Sequence, residues 1–210
     1  MNVALATLHS DAYAPLAEVT LPNKERYCRR HGYDLHAVRH PADAELGPNW
    51  GKVSLLWELT ERYDAVLWLG CDTLITNGER TVESLLGKNP AADVLLASDL
   101  YGINADVILT RATAVARMFW YAVGTVGHAF YHAHPWSEQE AMVRFATTPP
   151  YAESVRVLPQ SAMNSYLHAE YGRPADWPGG WQPGHFILHL PGMPLERRVE
   201  LAREYAAKAV

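Results

Sequence analysis

The feature that most constrains this chain is the repeated alternation of short apolar runs with helical stretches through its first half. NVALATL (Asn2–Leu8) reads as a buried strand, and residues 15–30 read as a helix ended by the His31-Gly32 break. YDLHAVR (Tyr33–Arg39) alternates as a second strand. A loop over Pro41–Trp50 leads to a helix near Lys52–Arg62 and then to AVLWLGCD (Ala65–Asp72), the central strand. DVLLAS (Asp93–Ser98) and ADVILT (Ala105–Thr110) follow as strands, with helices near Thr113–Val123 and Ser137–Phe145. VRVLP (Val155–Pro159) and HFILHL (His185–Leu190) read as short buried strands, and an amphipathic helix closes the chain over Leu195–Ala207. This order predicts an α/β fold, a central, mostly parallel sheet flanked by helices on both faces.

In such sheets ligands bind outside the carboxyl ends of the strands. Asp72 stands at one such end, in WLGCDTLITN (Trp68–Asn77), where an apolar run stops abruptly at an acid. An isolated acid at a strand end more often caps a turn than binds a metal, so position alone leaves both readings open.

Composition narrows the classes. With 49% hydrophobic and 20% charged residues over 210 positions, the chain suits one folded domain with a sizeable core. A net charge of −5 argues against a dedicated nucleic-acid binder. Cys28 and Cys71 are too few for a disulfide framework, and Cys71, in an apolar strand, reads as a buried thiol. The start MNVALATLHSDAY lacks the pattern of a secretory signal, and no apolar run reaches the roughly 20 residues of a membrane span. The expectation is a soluble, cytoplasmic protein.

Distant segments say more together than apart. NKERYCRRHGYDL, WGKVSLLWELTERYDAVLWLGCDTLITN, DLYGINADVILTR, WSEQEAMV, RVLPQSAMNSY and HFILHLPGM stand in the order seen in one family. The chain resembles glycosyltransferase family 34, a galactosyltransferase-like group that includes fungal galactosyl- and mannosyltransferases and plant xylosyltransferases. The resemblance implies a GT-A (Rossmann-like) fold in a single domain, with residues 1–110 as the nucleotide-binding half and 111–210 as the acceptor-side half. It also implies a nucleotide-diphosphate sugar donor, with UDP-sugar the first choice, a divalent cation (Mn2+ or Mg2+), and transfer with retention. A cation is needed because the departing pyrophosphate carries several negative charges. The acceptor is left as a glycan, lipid, protein or modified nucleobase.

Carried over residue by residue, the resemblance makes Asp72 and His189 the metal ligands. Lys52 points to the donor nucleotide, Thr7, Leu8 and His9 to the base, and Gly192 to the phosphates. Relatives often carry a later phosphate-binding lysine where this chain has Met193 and Pro194, and Arg197 or Arg198 is the candidate substitute. Asn104, Glu138 and Gln139 are the sugar-side, catalytic candidates. Ser137 reads as the cap of their helix.

Gly70 departs from the family, whose Asp-x-Asp pattern has an acid there. Water in its place, another acid entering the site, or weak donor binding would each account for it. Asp99 is the nearest candidate acid by motif, and restoring Gly70→Asp is expected to retain or strengthen cation affinity. This departure and the missing late lysine motivate a second reading, a catalytically weakened nucleotide-sugar binding protein, and a third is an α/β metallohydrolase. His128, His132 and His134 read as a surface cluster, WPGGW (Trp177–Trp181) as aromatic packing under a loop, and the basic segment Lys24–Arg39 as a solvated face.

Overall fold

The computed structural model describes residues 1–209. Strands β1 (Val3–His9), β2 (Asp34–Arg39), β3 (Ala65–Leu69), β5 (Val94–Asp99), β6 (Gly102–Arg111) and β7 (Val155–Leu158) form a six-stranded sheet in the order β2-β1-β3-β6-β5-β7. Every neighbouring pair is parallel except those made by β6, which runs antiparallel to both β3 and β5. A smaller sheet orders β4 (Thr73–Ile75), β9 (Ile187–His189) and β8 (Ser165–Tyr166) as β4-β9-β8. The helices are α1 (Ala14–His31), α2 (Pro48–Leu59), α3 (Val82–Gly87), α4 (Ala114–Ala122), α5 (His128–Tyr131), α6 (Ser137–Ala146), α7 (Gln160–Met163) and α8 (Leu195–Ala206). None is long and apolar enough to cross a membrane.

Alternation of side chains along each strand divides the core in two. Val3, Leu5, Leu67 and Leu69 pack with Tyr27 of α1 and Leu85 of α3. Ala4, Ala6, Val66 and Trp68 pack on the opposite face with Leu56 of α2, Phe119 and Trp120 of α4, and Met142 of α6. A third cluster joins Leu16, Leu74, Leu188 and Leu201 beneath the small sheet. The helix expected over Thr113–Val123 runs on as a π-helical stretch, Val123–Gly127. A Cβ at Gly127 would lie 2.7 Å from that of Ala141, so glycine is what lets this stretch pass against α6.

The central strand is shorter than its apolar run suggests. It stops at Leu69, turns through Gly70–Asp72, and resumes as β4 in the other sheet. Thr73 closes the turn, its backbone N–H and its hydroxyl both donating to Gly70 O, at 3.2 and 2.7 Å. β4 pairs with β9 along one edge. On its other side α1 serves in place of a strand. Thr20 Oγ1 donates to Cys71 O at 2.8 Å, and Lys24 Nζ to Thr73 O at 2.7 Å. The Asn23 amide brackets Ile75, accepting from its N–H at 2.8 Å and donating to its carbonyl at 2.9 Å.

Lys24 therefore does not lie on a solvated face; it is 0% exposed, because a long ammonium side chain is what reaches the Thr73 carbonyl from the helix. Burial brings its pKa down to about 8, with Cys71 and Asp72 opposing the shift. Between that value and the ordinary 10.5 the unfolded chain holds more protons than the folded one, so this group adds stability as pH rises. Lys24→Met should lose that gain. The stability of the parent relative to the variant should rise by about 3 kcal/mol from pH 7 to pH 11, read from urea unfolding midpoints at both ends.

Candidate active site

The turn between β3 and β4 lies at the carboxyl end of the sheet and sets Asp72 against β9. His189, the last residue of β9, is 0% exposed. Its Nδ1 donates to Asn164 Oδ1 at 2.8 Å, which directs Nε2 toward Asp72 Oδ1 at 3.3 Å and Asp106 Oδ2 at 3.7 Å. Nε2 is buried yet makes no hydrogen bond. One potential ligand atom from each of Asp72, Asp106 and His189 lies within 4.8 Å of the others, the one such trio of His, Cys, Asp or Glu among the described residues. Burial pulls the His189 pKa down, but the Asp72 and Asp106 carboxylates outweigh it and leave it raised. Burial raises that of Asp72, and His189 with Arg198 more than reverses the effect.

Above this trio opens a cleft of about 300 Å³, whose walls include Leu8, His9, Tyr13, Lys52, Gly192 and Arg198. Gly192 sits at φ +68°, a conformation that favours glycine, on the rim. Thr7 lies behind the wall, 1% exposed. The two arginines separate sharply. Arg197 is held at the surface by Glu170 at 2.7 Å and Glu200 at 3.0 Å. Arg198 instead enters the cleft, donating to Asp72 Oδ2 at 2.9 Å and to Met193 O at 2.8 Å.

Lys52, Asn104, Glu138 and Gln139, widely spaced in sequence, converge on one irregularity in β6. Leu96 pairs with Ile108 but Ala97 pairs with Asn104, so Ala105–Val107 bulge out of register with β5. Gln139 Oε1 accepts from Ala105 N–H at 3.1 Å, Lys52 Nζ donates to Ala105 O at 2.9 Å, and Asn104 Oδ1 accepts from Asp106 N–H at 3.0 Å. Lys52 also pairs with Glu138 at 2.7 Å, both side chains being buried. Burial opposes the Lys52 charge, but Glu138 and then Asp106 raise its pKa. Glu138 Oε2 is buried without a partner.

Asp106 is the residue that sequence reasoning missed. Its signal was an acid inside the otherwise apolar run ADVILT. The structure sets Asp106, and not Asp99, beside Gly70, whose N–H donates to Asp106 O at 2.8 Å. Asp99 accepts from Asn104 at 3.2 Å and from the Tyr166 hydroxyl at 3.0 Å. It borders a second cleft of about 340 Å³ with Tyr101, Tyr171 and Arg173, divided from the first by Pro191-Gly192.

Other expectations resolve locally. Ser137 does not cap its helix; it sits at φ +44° and makes no capping bond, and Trp136 precedes the helix. His128 packs edge-on against Trp50, and His132 bonds back to the His128 carbonyl at 3.0 Å. The Trp181 indole donates to Thr76 Oγ1 at 2.9 Å and packs on Tyr205, while Trp177 lies under the Arg173 guanidinium. Of these features the Lys52–Glu138 pair is the most sensitive to mutation, because truncating one partner leaves the other buried and charged. Lys52→Met should cost about 3–5 kcal/mol in urea unfolding, and adding Glu138→Gln should recover part of that loss.

No protein-family model matches the chain. Among curated proteins it is similar to an alpha-1,2-galactosyltransferase of Schizosaccharomyces pombe, with 24% identity covering 89% of this chain. The match spans 60% of that protein's length. Among solved structures it resembles a glycosyltransferase involved in glycosylating the major capsid of PBCV-1, at TM-score 0.72 and 16% identity, covering 97% of this chain and all of that one. It also resembles the galactosyltransferase LgtC in complex with donor and acceptor sugar analogs, at TM-score 0.62 and 12% identity over 96% of this chain and 95% of that one. Mouse xyloside xylosyltransferase 1 matches at TM-score 0.53 and 12% identity, over 92% of this chain and all of that one. The six-stranded α/β architecture with its small accessory sheet is the GT-A glycosyltransferase fold.

Proposed function

We propose that this chain transfers a hexosyl or pentosyl group from a UDP-sugar to an acceptor, with retention and with Mn2+ or Mg2+ held through Asp72 and His189. The observation that carries this reading is the grouping of Asp72 and Asp106, which line a cleft walled by Arg198, with the buried His189 imidazole beneath them. The site fits a cation of this kind: carboxylate oxygens with one imidazole are suitable donors, and His189 Nε2 is a buried atom without a hydrogen-bond partner. A bound divalent cation supplies charge stabilisation to a departing pyrophosphate. The name of the fission-yeast relative and the sugar-analog complex of LgtC support the same chemistry.

The chain's own residues do the rest. Leu8 and His9 line the base end, with Thr7 packed behind them. Gly192 lets the backbone approach phosphate. Arg198 takes the phosphate role: its guanidinium lies in the cleft, whereas Arg197 is held by two surface carboxylates. Lys52 acts on the donor indirectly, by fixing Glu138 and the β6 bulge. Gln139 commits its oxygen to Ala105, which leaves its amide nitrogen to donate to the sugar. Asn104 and Gln139 then recognise sugar hydroxyls, and Glu138, buried behind them on Lys52, contributes its negative charge to stabilising positive charge at the anomeric carbon. The second cleft, beside Asp99, takes the acceptor, whether glycan, lipid, protein or nucleobase.

Calorimetry should show UDP binding more tightly with Mn2+ than in chelator, and Asp72→Asn should remove that difference while the protein stays folded. Equal affinity under both conditions counts against the cation. Nucleotide release across a panel of α-linked UDP-sugars identifies the donor, and NMR of the product should show an α-anomeric proton; UDP binding with no transfer would indicate a binding protein instead. Arg198→Ala should weaken UDP binding by about tenfold or more, the loss of a charge-assisted phosphate contact, while Arg197→Ala leaves it unchanged.

A further inference from the structure

We infer that Asp106 supplies the cation-binding carboxylate that Gly70 lacks, so that the acid of one strand has been exchanged for an acid on the strand facing it. This rests on the cation reading above. Gly70 follows β3 and bonds directly to Asp106 on β6, the Gly70 N–H donating to Asp106 O at 2.8 Å. A Cβ built on Gly70 would stand 3.0 Å from Asp72 Oδ1 and 3.2 Å from both Cβ and Oδ1 of Asp106. Position 70 therefore points into the trio, and a side chain there would compete with Asp106 for the same space. Gly70 is what makes room for the acid opposite.

The bulge explains how a β6 residue reaches that space. Extra residues in one strand re-aim the side chains they carry, here the three of Ala105–Val107. Here the backbone polar groups of the bulge are tied down on several sides: Ala105 N–H by Gln139, Ala105 O by Lys52, Asp106 N–H by Asn104 and Asp106 O by Gly70. So held, Asp106 places Oδ2 3.7 Å from His189 Nε2 and Oδ1 3.7 Å from Lys52 Nζ. Its side chain is 39% exposed, open to the cleft that it lines. In this reading Asp106, and neither water nor Asp99, takes the place of the missing acid, and of the two expectations for Gly70→Asp, retained or strengthened cation affinity, only the first follows.

Mn2+ binding tests this, followed by electron paramagnetic resonance or calorimetry with UDP present, on variants checked for an unchanged unfolding midpoint. Asp106→Asn keeps the shape and removes the charge, so it should weaken Mn2+ affinity by about tenfold or more. Gly70→Asp alone should bind Mn2+ no better than the parent. The double variant Gly70→Asp with Asp106→Gly should recover most of what Asp106→Asn loses, the carboxylate having been returned across the strand pair. Parent-like Mn2+ affinity in Asp106→Asn, when Asp72→Asn has lost it, overturns the exchange and leaves the cation reading standing. So does a folded double variant that binds no better than Asp106→Asn. A parent protein that takes up no Mn2+ with UDP overturns both.

Discussion

The arrangement on which the rest of this structure depends is the hold that α1 keeps on residues 71–75. A strand of three residues, β4, cannot fix its own position, and β9 secures only one of its edges. The other edge is closed by Thr20, Asn23 and Lys24, side chains at i, i+3 and i+4 on one face of the helix that meet the backbone groups of Cys71, Thr73 and Ile75. Each bond is worth about 1 kcal/mol net, but leaving such a buried group without a partner costs more than that. The helix thus specifies where the chain goes after it leaves the large sheet. Asp72 lies inside this clamped segment, so its position relative to His189 is set before any ligand arrives.

Around that fixed point the site is a set of opposed charges. Asp72 lies between His189 and Arg198, and Lys52 between Glu138 and Asp106. None of the buried members is isolated, which is the condition for keeping charge in a low-dielectric interior. The same condition resists motion. Donors and acceptors that are already oriented need little reorganisation when charge develops on a substrate, and that favours charge-stabilising chemistry. Lys52, on the wall of the cleft yet 2% exposed, ties Glu138 to the backbone that carries Asp106.

What could be read from the sequence follows from periodicity and order. Apolar runs of five to ten residues separated by amphipathic helices specify an α/β sheet whatever their exact ends. Leu5, Leu67 and Leu95 are in the core because helices cover both faces of the sheet, and alternation decides only which half of the core they join. Asp72 and His189 could be singled out because each stands at the close of an apolar run, and the pairing of β4 with β9 brings them together. β4 and β8, of three and two residues, carried too little pattern to be seen, and α3 was missed beside them.

The sequence by itself determined the fold class and the apolar run that leads to the candidate site, and it singled out Asp72 and His189, which the fold brings to 3.3 Å of each other, since these rest on local pattern and motif order. Tertiary structure decided which of two adjacent arginines enters the cleft, whether Lys24 faces water or core, and which acid stands beside Gly70. Arg197 and Arg198 are neighbours in sequence but point about 100° apart around a helix, so packing alone selects between them. Gly70 and Asp106 are 36 positions apart (106 − 70), and only the antiparallel pairing of β3 with β6, with a bulge to turn the side chain, makes them alternatives for one space. Choices of that kind depend on the direction of a side chain across a strand pair, which no run of residues encodes locally.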